Sequence, residues 1–346
     1  SVFHTRKIRI QKRIRAMSFH SKGYHFMRAL ITGASGFIGR NLLKRLLLLE
    51  NQFEEIITVT RTPFIIPNKK VKNFACDLGD SKKFGIKDPA YAAIAIEKPD
   101  VIFHLASKPV VKFEDGENPF KIVDNNITST YKVCEYAPKG SRVVMASSVI
   151  VYGDWMFDED QKDLLSPLVP YSEEDKTKPT SIYGMTKRAS ESILDVYNEL
   201  GISCASARLC ATVGEGLTHG VIKDFIRKLN TDSDMLDVLG DAPGSTKPYL
   251  HIDDALSALI KISQTTGNEH YNVCPDDQIN IADVADAVMI GTDIHKPLNW
   301  LGEGANWKGD NRIITVSNKK LRSIGWEPKF PKSKEVIIDI VRKIGG

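Results

Sequence analysis

Three glycines place the strongest constraint on this fold. Gly33, Gly36 and Gly39 fall in Thr32-Gly33-Ala34-Ser35-Gly36-Phe37-Ile38-Gly39, between an apolar run ending at Thr32 and a helical period beginning at Phe37. The G-x-x-G-x-x-G spacing gives each glycine a task. The first permits a tight turn off the strand, the second lets backbone approach a pyrophosphate, and the third allows close helix–strand packing. The following helix directs its N-terminal dipole and free N–H groups at the phosphates. Three glycines alone are a weak signal. Between a strand and an amphipathic helix they mark a dinucleotide site rather than a glycine-rich turn.

From residue 28 short apolar runs alternate with helical periods. Strands are expected at 29–32, 56–60, 71–76, 101–105, 143–147 and 203–209, and helices at 37–49, 119–136 and 181–200. Such alternation predicts βαβ units, hence an α/β fold: a Rossmann-type doubly wound parallel sheet with helices on both faces. The expected domains are a basic leader at 1–27, a dinucleotide-binding domain at 28–210 and a smaller, mainly substrate-binding α/β domain at 211–346. The Asp/Glu/Pro/Ser-rich stretch 153–180 reads as a long functional or disordered loop.

The 346 residues carry 47 Lys+Arg against 43 Asp+Glu. The excess is local. Residues 1–27 hold seven basic residues and no acid, leaving 40 basic against 43 acidic beyond them. The acidic body argues against a nucleic-acid surface. The leader is open to three readings: a transit-type segment, an arm for nucleic acid or membrane surface, or a disordered extension preceding a start at Met27. The last is favoured, because Met27 runs directly into the first strand. No apolar run approaches membrane-span length, so a soluble, cytoplasmic protein with no membrane partner is expected. The five cysteines lack ligand spacing, which argues against a structural metal.

Arg61 ends the second strand, where an NAD site usually has an acid for the ribose hydroxyls. An arginine there suits a 2′-phosphate, so NADP is favoured over NAD. Asp77 is a candidate for the adenine end, or a capping residue. Tyr183 and Lys187, at i and i+4, share one helix face. An ammonium one turn away favours the phenolate and makes the tyrosine a usable acid/base. Ser148, at a strand's C-terminal end, could donate to a substrate hydroxyl or cap a turn.

These segments together resemble the extended short-chain dehydrogenase/reductase family of nucleotide-sugar epimerases, dehydratases and reductases. The matches are T-G-A-S-G-F-I-G at 32–39, D-L at 77–78, H-L-A-S at 104–107, Asn126, S-S-V-I-V-Y-G at 147–153, Y-G-M-T-K at 183–187, Arg208, and K-P-Y-L-H-I-D-D at 247–254. Their order and spacing over about residues 28 to 340 make the resemblance specific. It implies that Gly33, Ser35, Gly36, Phe37, Ile38 and Gly39 hold the cofactor pyrophosphate. It implies that Asp77, Leu78, Leu105, Ala106, Ser107 and Asn126 line the cofactor, that Ser148, Tyr183 and Lys187 carry the chemistry, and that Lys247 meets the substrate diphosphate. It also implies a homodimer through helices near 119–136 and 181–200.

Departures narrow the chemistry. Dehydratases of this family resemble S-T-D-E-V-Y-G, with an acid pair that removes water, and decarboxylating relatives also carry a glutamate there. This chain has Val149 and Ile150. Epimerases and ketoreductases need no such acid. The expected activity is a nucleotide-sugar 4-epimerase, in which Tyr183 takes the sugar 4-OH proton during transient oxidation. An NADPH-dependent 4-keto-sugar reductase is the alternative. A non-catalytic cofactor-binding or RNA-associated scaffold is the reading from another class, and the intact Ser148, Tyr183 and Lys187 argue against it. Ala211 stands where an asparagine often meets the diphosphate. Asp253-Asp254 is expected to cap a helix, His104 to pack or bond backbone, and Trp300, Trp307 and Trp326 to fill core or stack a ring.

Overall fold

A computed structural model describes residues 27–49, 52–109, 118–153, 169–302 and 312–344. The leader at 1–26, Trp155, Phe157, Trp307 and the segment Lys308-Gly309-Asp310 lie outside the described residues.

The first half follows the expected alternation. Strands β1 (Met27–Thr32), β2 (Phe53–Thr60), β3 (Val71–Ala75), β4 (Val101–His104), β5 (Arg142–Ser148) and β6 (Ser203–Leu209) are joined by helices α1 (Phe37–Leu48), α2 (Phe120–Tyr136) and α3 (Ile182–Glu199). The short strands β7 (Ala211–Val213), β8 (Leu236–Val238), β9 (Thr246–Lys247) and β10 (Tyr249–His251) follow, with helix α4 (Val221–Leu229) after β7. Helix α5 (Ile252–Ser263) then precedes β11 (Glu269–Val273), β12 (Ile279–Asn280), helix α6 (Ile281–Thr292), β13 (Leu298–Trp300), a short helix at Lys319–Ser323 and helix α7 (Ser333–Ile344).

The main sheet is parallel, in the order β3-β2-β1-β4-β5-β6-β11. Order reverses between β1 and β4, where ligand crevices form in such sheets. The register puts Thr32 opposite both Val59 and His104. Ser148 lies opposite Leu209, so the strand ends that carry the motifs share one edge.

Both faces are covered. Side chains alternate along a strand, so Ala29 and Ile31 join a cluster containing Leu42, Leu46, Leu256 and Leu259 from α1 and α5. Leu30 faces the other way, with Val133 of α2 and Leu194 of α3. A third cluster gathers Val213, Phe225, Val288, Val336 and Val341. The chain beyond residue 210 feeds two layers: α5 and β11 belong to the main sheet, whereas α4, α6 and α7 build the third cluster.

One expectation is corrected locally. The cap of α5 is His251, whose ring accepts from the Asp253 amide at 3.0 Å. Asp254 instead accepts from the amides of Lys329 and Phe330, at 2.8 and 2.9 Å, and fastens the C-terminal segment. Trp326 is core, 3% exposed, with its indole donating to Ser257 Oγ. Trp300 packs against the third cluster.

Leucines 46–49 test which face of α1 is buried. Leu46 is 1% exposed and Leu48 78%. Leu46→Ala should cost about 2–5 kcal/mol in equilibrium denaturation, and Leu48→Ala should stay within about 0.5 kcal/mol.

Candidate active site

The glycine junction closes on itself. Gly33 has φ +69°, and a Cβ there would stand 2.8 Å from the Ala106 amide nitrogen. A Cβ on Gly39 would lie 2.2 Å from the Gly33 carbonyl oxygen. Backbone thus fills both positions: a side chain at Gly33 would press on residues 105–106, and one at Gly39 would prise α1 from the turn.

Around this junction opens a cleft. It is lined by Gly33, Ser35, Gly36, Arg61, Asp77, Leu78, Leu105, Ala106 and Ser107, among others. Most of the expected cofactor residues therefore converge. Arg61 is exposed, at the end of β2. The Asp77 carboxylate accepts from the Gly79 amide at 3.0 Å, so it caps its own turn while lining the cleft. Ser107 Oγ is buried and has no hydrogen-bond partner among the described residues. An orphaned hydroxyl beside a backbone cradle fits a polar ligand such as a dinucleotide.

The side chains of three expected residues point elsewhere. Phe37 is directed toward Gly214, where an added Cβ would meet its ring at 3.3 Å. Ile38 packs on the core. Asn126 is 2% exposed and its amide is already engaged. Its Oδ1 accepts from the Lys108 amide at 2.8 Å, and its Nδ2 donates to Thr186 Oγ1 at 3.0 Å. It ties the strand-end segment to the helix of Tyr183.

Missed in the sequence is the node behind this segment. Thr32 Oγ1 accepts from the amides of Leu105 and Ala106, both at 3.1 Å. Its proton is then left for His104 Nδ1, 2.8 Å away. The ring keeps its own proton on Nε2 and donates to Thr130 Oγ1 at 3.1 Å. Burial, with Lys187 nearby, pushes the His104 pKa down to about 3. The ring is packed inside, the first of its two expected roles, and its nitrogens bond hydroxyls rather than backbone.

Tyr183, Lys187 and Ser148 gather at the C-terminal end of β5, beside the cleft. Ser181 caps α3, accepting from the Gly184 amide. Gly184 lies so close to the turn after β5 that a Cβ would stand 3.1 Å from the Ile150 carbonyl. Lys187 Nζ donates to the Ala146 carbonyl at 2.8 Å and lies 5.6 Å from the Tyr183 ring centre. Ser148 Oγ caps that turn by accepting from the Ile150 amide at 3.4 Å, which leaves its proton to donate. Burial lowers the Lys187 pKa to about 8, against the opposing pull of Glu191. Burial also pushes the Tyr183 phenol up, so desolvation outweighs the lowering expected from Lys187. Lys247, in β9, pairs with Ile279 of β12. Among the described residues no group of His, Cys, Asp and Glu could hold a metal, and no helix is long and apolar enough to cross a membrane.

His104 makes a pH prediction. Its pKa falls from 6.5 unfolded to about 3 folded, so the unfolded state binds more protons between those values. Stability is lost as pH drops below about 6.5, by about 2 kcal/mol between pH 7 and 5. Denaturation of His104→Gln should show a pH 7-to-5 loss smaller by that amount.

Comparison with known proteins adds the family context. The sequence profile of the NAD dependent epimerase/dehydratase family matches residues 29–274. An uncharacterized UDP-glucose epimerase of Bacillus subtilis is 28% identical over 68% of this chain and 72% of its own length. UDP-glucuronic acid decarboxylase 3 of Arabidopsis thaliana is 25% identical, over 88% of this chain and 85% of that protein. A crystal structure of a UDP-galactose 4-epimerase superposes with a TM-score of 0.73 at 28% identity, covering 92% of this chain and 98% of that one.

Proposed function

The chain belongs to the NAD dependent epimerase/dehydratase family, and from that premise we propose a nucleotide-sugar epimerase of the 4-epimerase type. One observation carries the choice. Ser148, Tyr183 and Lys187 converge beside a turn that bears Val149 and Ile150, and Val149 is 3% exposed within the core. With apolar side chains there, no carboxyl group stands on that turn to assist elimination.

When bound, the nicotinamide cofactor supplies the hydride acceptor and, in the return step, its donor. The chain's own residues would manage the proton. Ser148 Oγ–H donates to the sugar hydroxyl and holds it toward Tyr183. Lys187, with a pKa of about 8, remains mostly an ammonium at pH 7. Its charge favours the Tyr183 phenolate as the substrate proton moves. The proton that Tyr183 takes from the sugar hydroxyl in the first step is the one it gives back when hydride returns. Lys247 would meet the substrate diphosphate, and the 211–346 portion would supply most of the sugar-nucleotide contacts. A homodimer would use α2 and α3, which meet through Tyr131 and Tyr197 and expose Tyr131 and Val196.

A second reading is an NADPH-dependent 4-keto-sugar reductase. Arg61 favours it, standing at the lip of the cleft where β2 ends without a carboxylate. Releasing the nucleotide that co-purifies decides between them. Tightly held NAD(H) supports the epimerase, whose cycle regenerates its cofactor. An empty site stabilised by NADPH far more than by NADH supports the reductase. In that case Arg61→Ala should weaken NADPH binding about tenfold, while NADH changes less than about twofold.

Tyr183→Phe should lower turnover of UDP-glucose and UDP-galactose at least about a hundredfold and leave NAD(H) affinity unchanged by calorimetry. Near-full turnover in that variant would refute the acid/base assignment.

A further inference from the structure

Glu191 stands one turn beyond Lys187 and two beyond Tyr183, on the same face of α3, and is 0% exposed. Its partner is Arg208 on β6, 3% exposed. Arg208 Nε donates to Glu191 Oε1 and Nη2 to Oε2, both at 2.9 Å, a bidentate fork. Glu191 Oε1 also accepts from Ser147 Oγ at 2.7 Å and from Ser206 Oγ at 3.3 Å. One carboxylate therefore grips the ends of β5 and β6, and Ser147 is the residue before Ser148.

The guanidinium reaches the opposite way as well. Arg208 Nη1 donates to Tyr152 Oη at 2.8 Å. Tyr152 stacks on Tyr171, with centroids 4.8 Å apart, and its Oη lies 2.8 Å from Asn272 Oδ1. Asn272 Nδ2 in turn donates to the Tyr171 carbonyl at 3.1 Å. The pair thus links the helix of Tyr183 and Lys187, two strand ends, and the returning segment at 171–172.

We propose that the buried Glu191–Arg208 pair is the positioning device of this active site, holding Tyr183 and Lys187 in register with Ser148. Neither residue needs to touch substrate. An apolar pair of similar volume would give equal or greater stability. The fork instead fixes the rotation of α3 about its axis and its height on the sheet, which apolar packing leaves less determined. A displacement of about 1 Å between reacting groups costs on the order of a hundredfold in rate.

The pair also sets charge. The ionisable groups around Lys187 are Tyr183 and Glu191 on its own helix, His104 on β4, and Arg208 on β6. His270 on β11 bears on Glu191, and its ring lies 3.2 Å from Asp195 of α3. His104 is neutral, so Glu191 is the counter-charge for Lys187.

The inference rests on the proposed roles of Tyr183 and Lys187, and Tyr183→Phe tests those separately. The decisive variant is Glu191→Leu with Arg208→Met, which removes both buried charges together. Its melting temperature and NAD affinity should match the parent. Its kcat for UDP-glucose and UDP-galactose should fall about ten- to a hundredfold, with KM within about threefold. A variant as stable as the parent with kcat within twofold overturns the proposal.

Glu191→Gln gives a second readout, and decides alone if the double variant does not fold. It leaves Arg208 charged and unpaired, so the Lys187 ammonium loses its proton earlier. The alkaline limb of the rate profile should move to lower pH, and an unmoved limb with unchanged kcat overturns the proposal. If neither sugar turns over in the parent, the epimerase reading fails by itself. The Tyr183 titration at 295 nm, read against Tyr183→Phe, then replaces the rate: a midpoint displaced by Glu191→Gln supports the pair's role, and coincident curves refute it.

Discussion

The Thr32 hydroxyl is the contact on which the site depends. At the switch between β1 and β4 the connections leave on opposite faces, and the crevice between them would otherwise expose the backbone of residues 105–106. Thr32 takes both of those amides and passes its own proton to His104. The strand end is thereby held flush with the glycine turn, at the distance where a Cβ on Gly33 would collide with Ala106. His104 carries the chain on to Thr130 of α2, and Thr130 Oγ1 lies 3.1 Å from Ser190 Oγ on α3. The cofactor side and the helix of Tyr183 are therefore connected by hydroxyls and one neutral ring, without a charge that a bound phosphate would disturb.

Charge is used deeper in, and sparingly. Lys132 with Asp88 and Arg208 with Glu191 are both buried pairs, no side chain being more than 4% exposed. Such pairs add little net stability, yet losing one partner costs about 3–5 kcal/mol. Each sits where position matters. Lys132 also donates to the Asp80 carbonyl, fastening the stretch after Asp77 that lines the cleft. Burial opposes the charge of Arg208, but the Glu191 fork outweighs it and holds the guanidinium protonated. That same carboxylate restrains the loss of charge from Lys187.

The sheet was legible because periodicity is local. Strand ends predicted from apolar runs agree with the structure to within a few residues, and the glycine turn and the Tyr183–Lys187 helix lie where spacing placed them. What was illegible involves distance along the chain. Glu191 and Arg208 meet across a helix–strand turn, and nothing in either segment names the other. Thr32 and His104 are separated by 72 residues, so the histidine read as packing. His251 takes the cap expected of Asp253-Asp254, because the helix already begins at Ile252; Asp253 pairs with Arg45 and Asp254 with the Lys329 amide, 75 residues on. Asn126 matched a motif, and its amide bonds the Lys108 backbone and the Thr186 hydroxyl. A motif records that a residue type is needed and leaves open what it touches.

Packing also bears on the reaction class. The turn at Val149–Val151 is short and helical, capped by Ser148, with Val149 and Val151 both in the main cluster and Tyr152 pinned by Arg208. Val149 is turned inward rather than toward the cleft. An acid placed there would have to be buried without a partner or would rotate the turn, and rotation would carry Ser148 out of line with Tyr183. In the proposed epimerase the protons are carried by the Ser148 and Tyr183 hydroxyls, beside this apolar turn. That suits oxidation and return of hydride at one carbon better than removal of water from its neighbour.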